Sequence, residues 1–320
     1  MKPAYIAPVS WGLGDLIVSL PAVQGLIAAG YETTLVTRSS LQEGLASRID
    51  GLFGSVREED LPGTEPGSAA FQAASTTYFN LRNHPLQTDH WWGSPEFEAA
   101  HGPLSINEIL AAICQDLDIP ANFSQLQPLL HGENPSTNGK ILLLAGSDGP
   151  FKCWPTQNWI ELQKRLAALG QEVVVLGQPE NSAEVKALVD HGLHWIPTPT
   201  LADCVDAISS ARAAVGIDTG LMHVAVQQGI ATVALYRANP IYVRPYPHVK
   251  VLTAPECAQE CIDKSLGIAI NQMTDLADLS PGTWTCDITN RCMQSINVDE
   301  VLNALSQMLP LQLTAHREKS

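Results

Sequence analysis

Cations are scarce in this chain. Eighteen Lys and Arg stand against 33 Asp and Glu among 320 residues, which gives a net charge of −15. A surface this negative repels phosphate backbones and anionic bilayers, so nucleic-acid binding is not expected and membrane contact is peripheral at most. A single anionic ligand in a locally basic pocket remains compatible with this charge.

Long apolar runs and disulfide patterns are also missing. No apolar run approaches the roughly 20 residues that span a bilayer, and the N-terminal segment carries no small-residue cleavage signature. The seven cysteines are an odd number, and a chain of this length needs no disulfide to be stable. The sequence therefore predicts a cytoplasmic protein without transmembrane segments.

Apolar residues, 45% of the chain, suffice for a large core, and the length suits two domains. A short apolar stretch at 4–9, a glycine turn, an apolar-periodic segment at 15–29 and a β-branched run at 32–37 indicate strand, helix and strand. Pro21 should kink or restart that helix, since proline lacks a backbone N–H. Residues 51–71, rich in Gly, Pro and acidic side chains, are expected to form a loop.

The alternation starts again after a polar segment at 131–139, which is the best candidate for a linker. We expect Asn297 and Glu300 to form a capping box at the final helix. The predicted fold class is α/β, with two Rossmann-like domains, residues 1–130 and 140–296, whose parallel sheets face a central cleft. Strands of the second domain are expected at 140–145, 172–176, 213–217 and 232–236, and helices at 157–169, 183–190, 221–228 and 298–309.

Ligands of such sheets bind beyond the carboxyl ends of the strands, where three turns carry unusual residues. In the first, Trp11-Gly12-Leu13-Gly14-Asp15, the carboxylate either caps the helix or acts as a general base. The helix N-terminus would weaken this base, whereas burial beside Trp11 and Leu13 would strengthen it. A dinucleotide fingerprint needs a small residue at position 17, which is Ile17, so the turn does not indicate an NAD site.

The second turn, residues 145–155, is a Gly/Ser-rich loop that contains Ser147 and Lys152. Its backbone N–H groups and the ammonium can form an anion site, and the alternative is a solvated loop lysine. No Gly-Lys-Ser/Thr triplet occurs, which excludes a P-loop.

The third turn, residues 216–223, runs from a strand directly into a helix. Thr219 and Gly220 present free N–H groups that suit a diphosphate. Asp218 either binds a ribose or sugar hydroxyl or caps the helix. His223 lies in the first helical turn, where it either reaches the same ligand or packs in the core.

Residues 80–93 combine Arg82, His84 and His90 with two tryptophans in the first domain. Sugar rings stack on aromatic faces while their hydroxyls bind polar groups, so this stretch is a candidate acceptor site, and the alternative is a packed irregular loop. Four other cysteines could be a zinc site, but their spacings lack the short Cys-x₂-Cys knuckle and favour structural thiols. They are Cys257, Cys261, Cys286 and Cys292.

Together these strings resemble glycosyltransferase family 9, the lipopolysaccharide heptosyltransferase family, in order and separation. The strings are Gly12-Leu13-Gly14-Asp15, Lys152-Cys153-Trp154-Pro155 and Asp218-Thr219-Gly220-Leu221-Met222-His223. The resemblance implies a GT-B fold whose second domain holds the nucleotide-sugar and whose first domain holds the acceptor. It also implies that a C-terminal helix, residues 297–310, packs back toward the first domain.

The resemblance further implies roles for individual residues. Asp15 would be the catalytic base, with Gly14 beside the acceptor. Glu180 would contact the nucleoside of the donor. The remaining donor-binding residues would be Ser147, Lys152, Asp218, Thr219, Gly220 and His223.

The expected activity is inverting transfer of a heptose-like sugar from an ADP-heptose-like donor to a saccharide, glycolipid or lipopolysaccharide-core acceptor. Asp15 would take the proton of the attacking hydroxyl, while Lys152 and the helix N-terminus would meet the charge on the leaving diphosphate. These fixed positive groups replace a metal ion, so neither a metal nor another cofactor is expected. The alternatives are a non-catalytic nucleotide-sugar-binding protein and a sugar-nucleotide epimerase or hydrolase on the same scaffold.

Overall fold

A computed structural model gives the structure of residues 2–61, 77–89, 92, 95–123, 130–132, 137–147, 152–237, 242–254 and 291–309. These residues form two separate sheets, and every described strand pair within them is parallel. We call the first sheet with its helices the first lobe, and the second sheet with its helices the second lobe.

The first sheet has four strands in the order β3-β2-β1-β4. The strands are β1 (Lys2–Ala7), β2 (Tyr31–Thr37), β3 (Gly54–Arg57) and β4 (Thr77–Asn80). The helices of this lobe are α1 (Leu13–Ala28), α2 (Ser40–Ala46), α3 (Pro85–Thr88), α4 (Pro95–His101) and α5 (Ile106–Asp116), with 3₁₀ turns at Glu58–Asp60 and Leu81–Asn83.

The second sheet has six strands in the order β10-β9-β8-β5-β6-β7. They are β5 (Ile141–Leu144), β6 (Val173–Leu176), β7 (Trp195–Ile196), β8 (Ala213–Ile217), β9 (Ala231–Tyr236) and β10 (Val249–Thr253). The helices are α6 (Thr156–Ala168), α7 (Ala183–Asp190), α8 (Leu201–Ser209), α9 (Gly220–Gln227), α10 (Arg291–Gln294) and α11 (Val298–Met308). Strands β5, β6 and β8 are wholly buried, which their continuous apolar runs predict for a sheet covered on both faces.

Local structure departs from the sequence expectations at two places in the first lobe. Helix α1 runs unbroken through Pro21, because every residue from Leu16 to Val23 is buried and this packing outweighs one missing hydrogen bond. The segment 51–71 is not wholly a loop: Gly54–Arg57 pairs with the open edge of β2, and a 3₁₀ turn follows. Residues 62–71 lie outside the described part of the chain.

The final helix α11 begins with the expected capping box. The Glu300 amide donates to Asn297 Oδ1 and the Asn297 amide donates to Glu300 Oε2, both at 2.9 Å. Its main contacts are with α6, β9 and β10, because Val301 and Leu305 are buried in one apolar cluster with Trp154 of the second lobe. The expected packing of residues 297–310 back toward the first lobe stays a prediction.

The two lobes are in direct contact. One buried apolar cluster includes Ile6 and Leu35 of the first sheet with Leu142 and Val174 of the second, and α1 packs against α9. Two buried arginines also cross between the lobes. Arg48 pairs with Asp206 at 3.0 Å, and Arg244 donates to the carbonyl of Val18.

Candidate active site

The strand order of the second sheet locates a crevice. Strands β6 and β7 lie on one side of β5 and strands β8, β9 and β10 on the other, so the strand order reverses between β5 and β8. Ligands of such sheets bind outside the carboxyl ends of the strands at this point. Lys152 follows β5 and Asp218 follows β8. Their side chains meet there, with 2.6 Å between Lys152 Nζ and Asp218 Oδ2.

The first sheet repeats this arrangement. Its strand order reverses between β1 and β4. Asp15 lies in the first turn of α1, directly after β1, and Arg82 lies in the 3₁₀ turn directly after β4. The sequence expectation that both lobes present polar residues at these edges therefore agrees with the topology.

The environment of Asp15 bears on both interpretations that the sequence left open, a helix cap and a general base. Its Oδ2 accepts a hydrogen bond from the Gly12 amide at 2.8 Å, as a helix-capping carboxylate does. Burial raises the pKa of Asp15 above its usual value, and the Gly12 hydrogen bond and attraction to His223 and Lys152 do not offset it. Burial thus outweighs the helix N-terminus, and the carboxylate is a stronger base than an exposed aspartate.

Asp218 has the opposite electrostatic balance. Burial would raise its pKa, but attraction to the Lys152 ammonium and a hydrogen bond with His223 outweigh burial and hold the pKa well below its usual range. The Tyr236 hydroxyl donates to Asp218 Oδ1 at 3.0 Å, and His223 Nε2 lies 3.6 Å from the same oxygen. The surroundings of Asp218 therefore favour the carboxylate anion, whereas those of Asp15 favour its protonated form more than water does.

Two glycines bring the lobes together at this point. A Cβ on Gly220 would lie 2.7 Å from the Leu13 side chain, and a Cβ on Gly14 would lie 3.0 Å from the His223 ring. The N-termini of α1 and α9 can approach this closely only because both positions lack a side chain. Asp15 and His223 are consequently neighbours although they come from different lobes.

The N-terminus of α9 carries the expected features of an anion site. Thr219 is the N-cap residue and forms no side-chain capping hydrogen bond, and its carbonyl accepts the amides of Met222 and His223. The amide of Gly220 comes before the first of these intrahelical bonds. Ser147 is partly buried in the loop after β5, and Glu180 is exposed in the turn after β6.

The three acceptor candidates of the first lobe, Arg82, His84 and His90, differ in their surroundings. The guanidinium carbon of Arg82 lies 4.7 Å from the centre of the Trp11 indole, close to Asp15 in sequence. His84 accepts the Leu86 amide at Nδ1 and lies 3.1 Å from Asp116 through Nε2, which favours the packed-loop interpretation for this residue. His90 lies outside the described residues.

Three residues that the sequence did not single out surround the site. Arg38 lies 5.2 Å from the Trp11 ring centre and pairs with Glu58. Tyr236 binds Asp218, and Tyr242 packs on Trp92 with 5.7 Å between ring centres. Burial, then the charges of Asp15 and Asp218, raises the pKa of Tyr242 above its usual value. The sequence feature that could have indicated Tyr236 is its hydroxyl group, which comes at the end of a largely apolar strand.

Among the described residues, no three His, Cys, Asp or Glu side chains come together as a metal site would require. Cys257, Cys261, Cys286 and the side chain of Cys292 are outside that part, so the choice between zinc and structural thiols remains a prediction. The described helices include none with the length and apolar character to cross a membrane.

Comparison with known proteins identifies the family. The sequence profile of glycosyltransferase family 9 (heptosyltransferase) matches residues 105–265, just over half of the 320 residues. The chain belongs to glycosyltransferase family 9. The family that the sequence strings resemble is thereby confirmed. The matched residues contain the strings around Lys152 and Asp218, and the string around Asp15 lies before them.

Two curated proteins with sequences similar to this chain are named lipopolysaccharide heptosyltransferases. The chain is 29% identical to lipopolysaccharide heptosyltransferase 2 of Escherichia coli over 164 residues. The aligned residues are 45% of this chain and 47% of that protein. It is 28% identical to lipopolysaccharide heptosyltransferase 1 of Pseudomonas aeruginosa over 116 residues. These aligned residues are 35% of this chain and 32% of that protein. The chain thus matches less than half the length of these curated relatives.

The structural similarity to a solved heptosyltransferase extends over most of the chain. The structure of the E. coli ADP-heptose lipopolysaccharide heptosyltransferase II superposes with a TM-score of 0.63 at 19% identity, over 96% of this chain and 98% of that one. At this identity the likeness establishes the fold. The expected α/β class with two parallel sheets in the GT-B arrangement is confirmed.

Proposed function

We propose that this family 9 chain transfers a heptose-like sugar from a nucleoside diphosphate donor to a saccharide hydroxyl, with inversion at the anomeric carbon. The observation that carries the proposal is the pair of carboxylates at the contact of α1 and α9. Asp15 has a raised pKa, and Asp218 is held as an anion beside Lys152. A proton acceptor from one lobe therefore adjoins a cationic donor site from the other.

The second lobe supports the donor assignment. Lys152 and the N-terminus of α9 place positive charge at the reversal point of the sheet, where a diphosphate would bind. The curated relatives are named heptosyltransferases, and the E. coli protein whose structure superposes on this chain is named an ADP-heptose heptosyltransferase. We therefore propose an ADP-heptose-like donor, bound by Ser147, Lys152, Asp218, Thr219, Gly220 and His223, with Glu180 toward the nucleoside.

The reaction follows from these positions. The acceptor hydroxyl gives its proton to Asp15 as its oxygen attacks the anomeric carbon, and the bond to the diphosphate breaks on the opposite side. Lys152 and the α9 amides stabilise the negative charge on the departing diphosphate. Because these groups do the electrostatic work of a cation, we propose that transfer needs no metal ion.

The first lobe is proposed to bind the acceptor. Trp11 is 37% exposed and has the guanidinium groups of Arg38 and Arg82 near its ring. An exposed indole bordered by hydrogen-bond donors suits a sugar ring. We propose a saccharide or lipopolysaccharide-core acceptor that lies between this surface and Gly14. Contributions of His84 and His90, and the cytoplasmic location, stay predictions.

The decisive experiment mixes the purified protein with ADP-heptose and with candidate core saccharides, separately and together, and follows release of ADP. Transfer predicts release only when donor and acceptor are both present. Release from donor alone would indicate a hydrolase, and conversion of the sugar without release would indicate an epimerase. Binding of donor without any turnover over a broad acceptor panel would favour the non-catalytic alternative.

A further inference from the structure

Tyr236 is the last residue of β9, and its side chain is almost wholly buried. Strands β8 and β9 are in register so that Ile217 lies opposite Leu235. Asp218, the next residue after β8, therefore lies beside Tyr236, and the tyrosine hydroxyl donates to its Oδ1 at 3.0 Å. The register of β8 and β9 thus places the two residues side by side, although Asp218 itself lies just beyond the end of its strand.

The two oxygens of Asp218 have different partners. Oδ2 binds the Lys152 ammonium at 2.6 Å, while Oδ1 accepts from Tyr236 and lies 3.6 Å from His223 Nε2. Lys152 is also the cation proposed to meet the donor diphosphate. The ligand must then compete with Asp218 for that ammonium, and the strength of this competition depends on how well Oδ1 is satisfied.

We propose that Tyr236 is a positioning residue for donor binding, which acts through Asp218 on Lys152. Its hydroxyl fixes the carboxylate rotamer and takes part of the negative charge, so that the ammonium is shared with the diphosphate. Burial and the charge of Asp218 raise the pKa of Tyr236 well above its usual value, so the phenol stays a neutral donor at working pH. This inference rests on the proposed function of the same site.

The test measures ADP binding by calorimetry in wild type, Tyr236→Phe, Lys152→Met and the double variant. Tyr236→Phe should weaken ADP binding by about 5- to 20-fold, because Asp218 then holds Lys152 more tightly. In the Lys152→Met background the same change should alter the dissociation constant by less than about twofold, since the competition is gone. Tyr31→Phe, whose ring packs on Phe79 in the first lobe, is the matched control and should bind ADP as wild type does.

Equal weakening by Tyr236→Phe in both backgrounds would show a merely structural hydroxyl and overturn the inference. So would unchanged binding in the single variant, and in both cases the proposed function stands. If wild type binds no ADP, the proposed donor site fails and the inference fails with it. Should Tyr236→Phe not fold, Asp218→Asn is the second test, measured with inorganic pyrophosphate, which lacks the ribose and sugar hydroxyls that Asp218 is proposed to bind. The change frees Lys152, so pyrophosphate should bind at least as tightly as in the wild type, and a tenfold loss would contradict the competition.

Discussion

Replacing Asp15 by asparagine separates its hydrogen bond with Gly12 from its proposed role as general base. The amide oxygen keeps the hydrogen bond from the Gly12 amide, which is 2.8 Å long in the wild type, but the side chain is no longer a base. A positioned general base contributes about 10²- to 10⁴-fold to a rate, so kcat should fall by at least about 100-fold. ADP should bind at least as tightly, because a negative charge near Lys152 has been removed.

Although Asp15→Asn should lose activity, its stability at pH 7 should exceed that of the wild type. Because burial raises the pKa of Asp15, the folded state binds this proton more tightly than the unfolded chain does. The wild type therefore loses unfolding free energy as pH rises from about 4, the ordinary aspartate value, through the raised folded value, and does not recover it above. Asp15→Asn lacks this loss and should be the more stable protein at pH 7.

Asp15→Ala is the matched control, because it removes both the base and the oxygen that binds Gly12. It should be as inactive as Asp15→Asn but less stable than that variant by about 1 kcal/mol, the net value of one hydrogen bond. Urea unfolding at pH 7 and ADP release under saturating substrates measure both effects. More than about a tenth of wild-type activity in Asp15→Asn would refute the base, and an Asp15→Asn protein less stable than wild type would refute the argument from burial.

Three further predictions concern the surroundings of Asp15. Lys152→Ala should weaken ADP binding by about 10- to 100-fold in calorimetry, the range for hydrogen bonds to charged groups, and a change below twofold would remove Lys152 from the donor site. Gly220→Ala should lower both stability, by about 1–3 kcal/mol, and activity, because the new Cβ meets Leu13 at 2.7 Å; Gly54→Ala, with no atom within 4 Å of its Cβ, is the control and should do neither. Exhaustive chelation should leave transfer unchanged, and loss of activity that a divalent ion restores would contradict the proposed metal independence.

The sequence predicted the elements better than their contacts. Continuous apolar runs located β5, β6 and β8, since only a strand covered on both faces tolerates them. The hydrogen bond from Tyr236 to Asp218 depends on which strands are neighbours, and the reversal between β5 and β8 is a property of the whole sheet. Local patterns do not contain this information.

The same reason explains which parts of the candidate site sequence reasoning could propose. The strings around Asp15, Lys152 and Asp218 each lie in one turn, so local patterns suffice to single them out as candidates, and their roles stay predictions. The proposed role of Asp15 as a base rests on its burial, which the sequence could not weigh against the helix N-terminus. The unbroken helix at Pro21 is similar, because packing along α1 decided a local conflict.

The ion pair of Arg48 with Asp206 has a consequence for protein engineering. Each residue comes from a different lobe, and both are more than nine-tenths buried. A chimera that joins this first lobe to the second lobe of another glycosyltransferase, to recombine acceptor and donor preferences, would bury one charge without its counterpart, at about 3–5 kcal/mol. Grafts between relatives should therefore transplant the arginine and the aspartate as a unit.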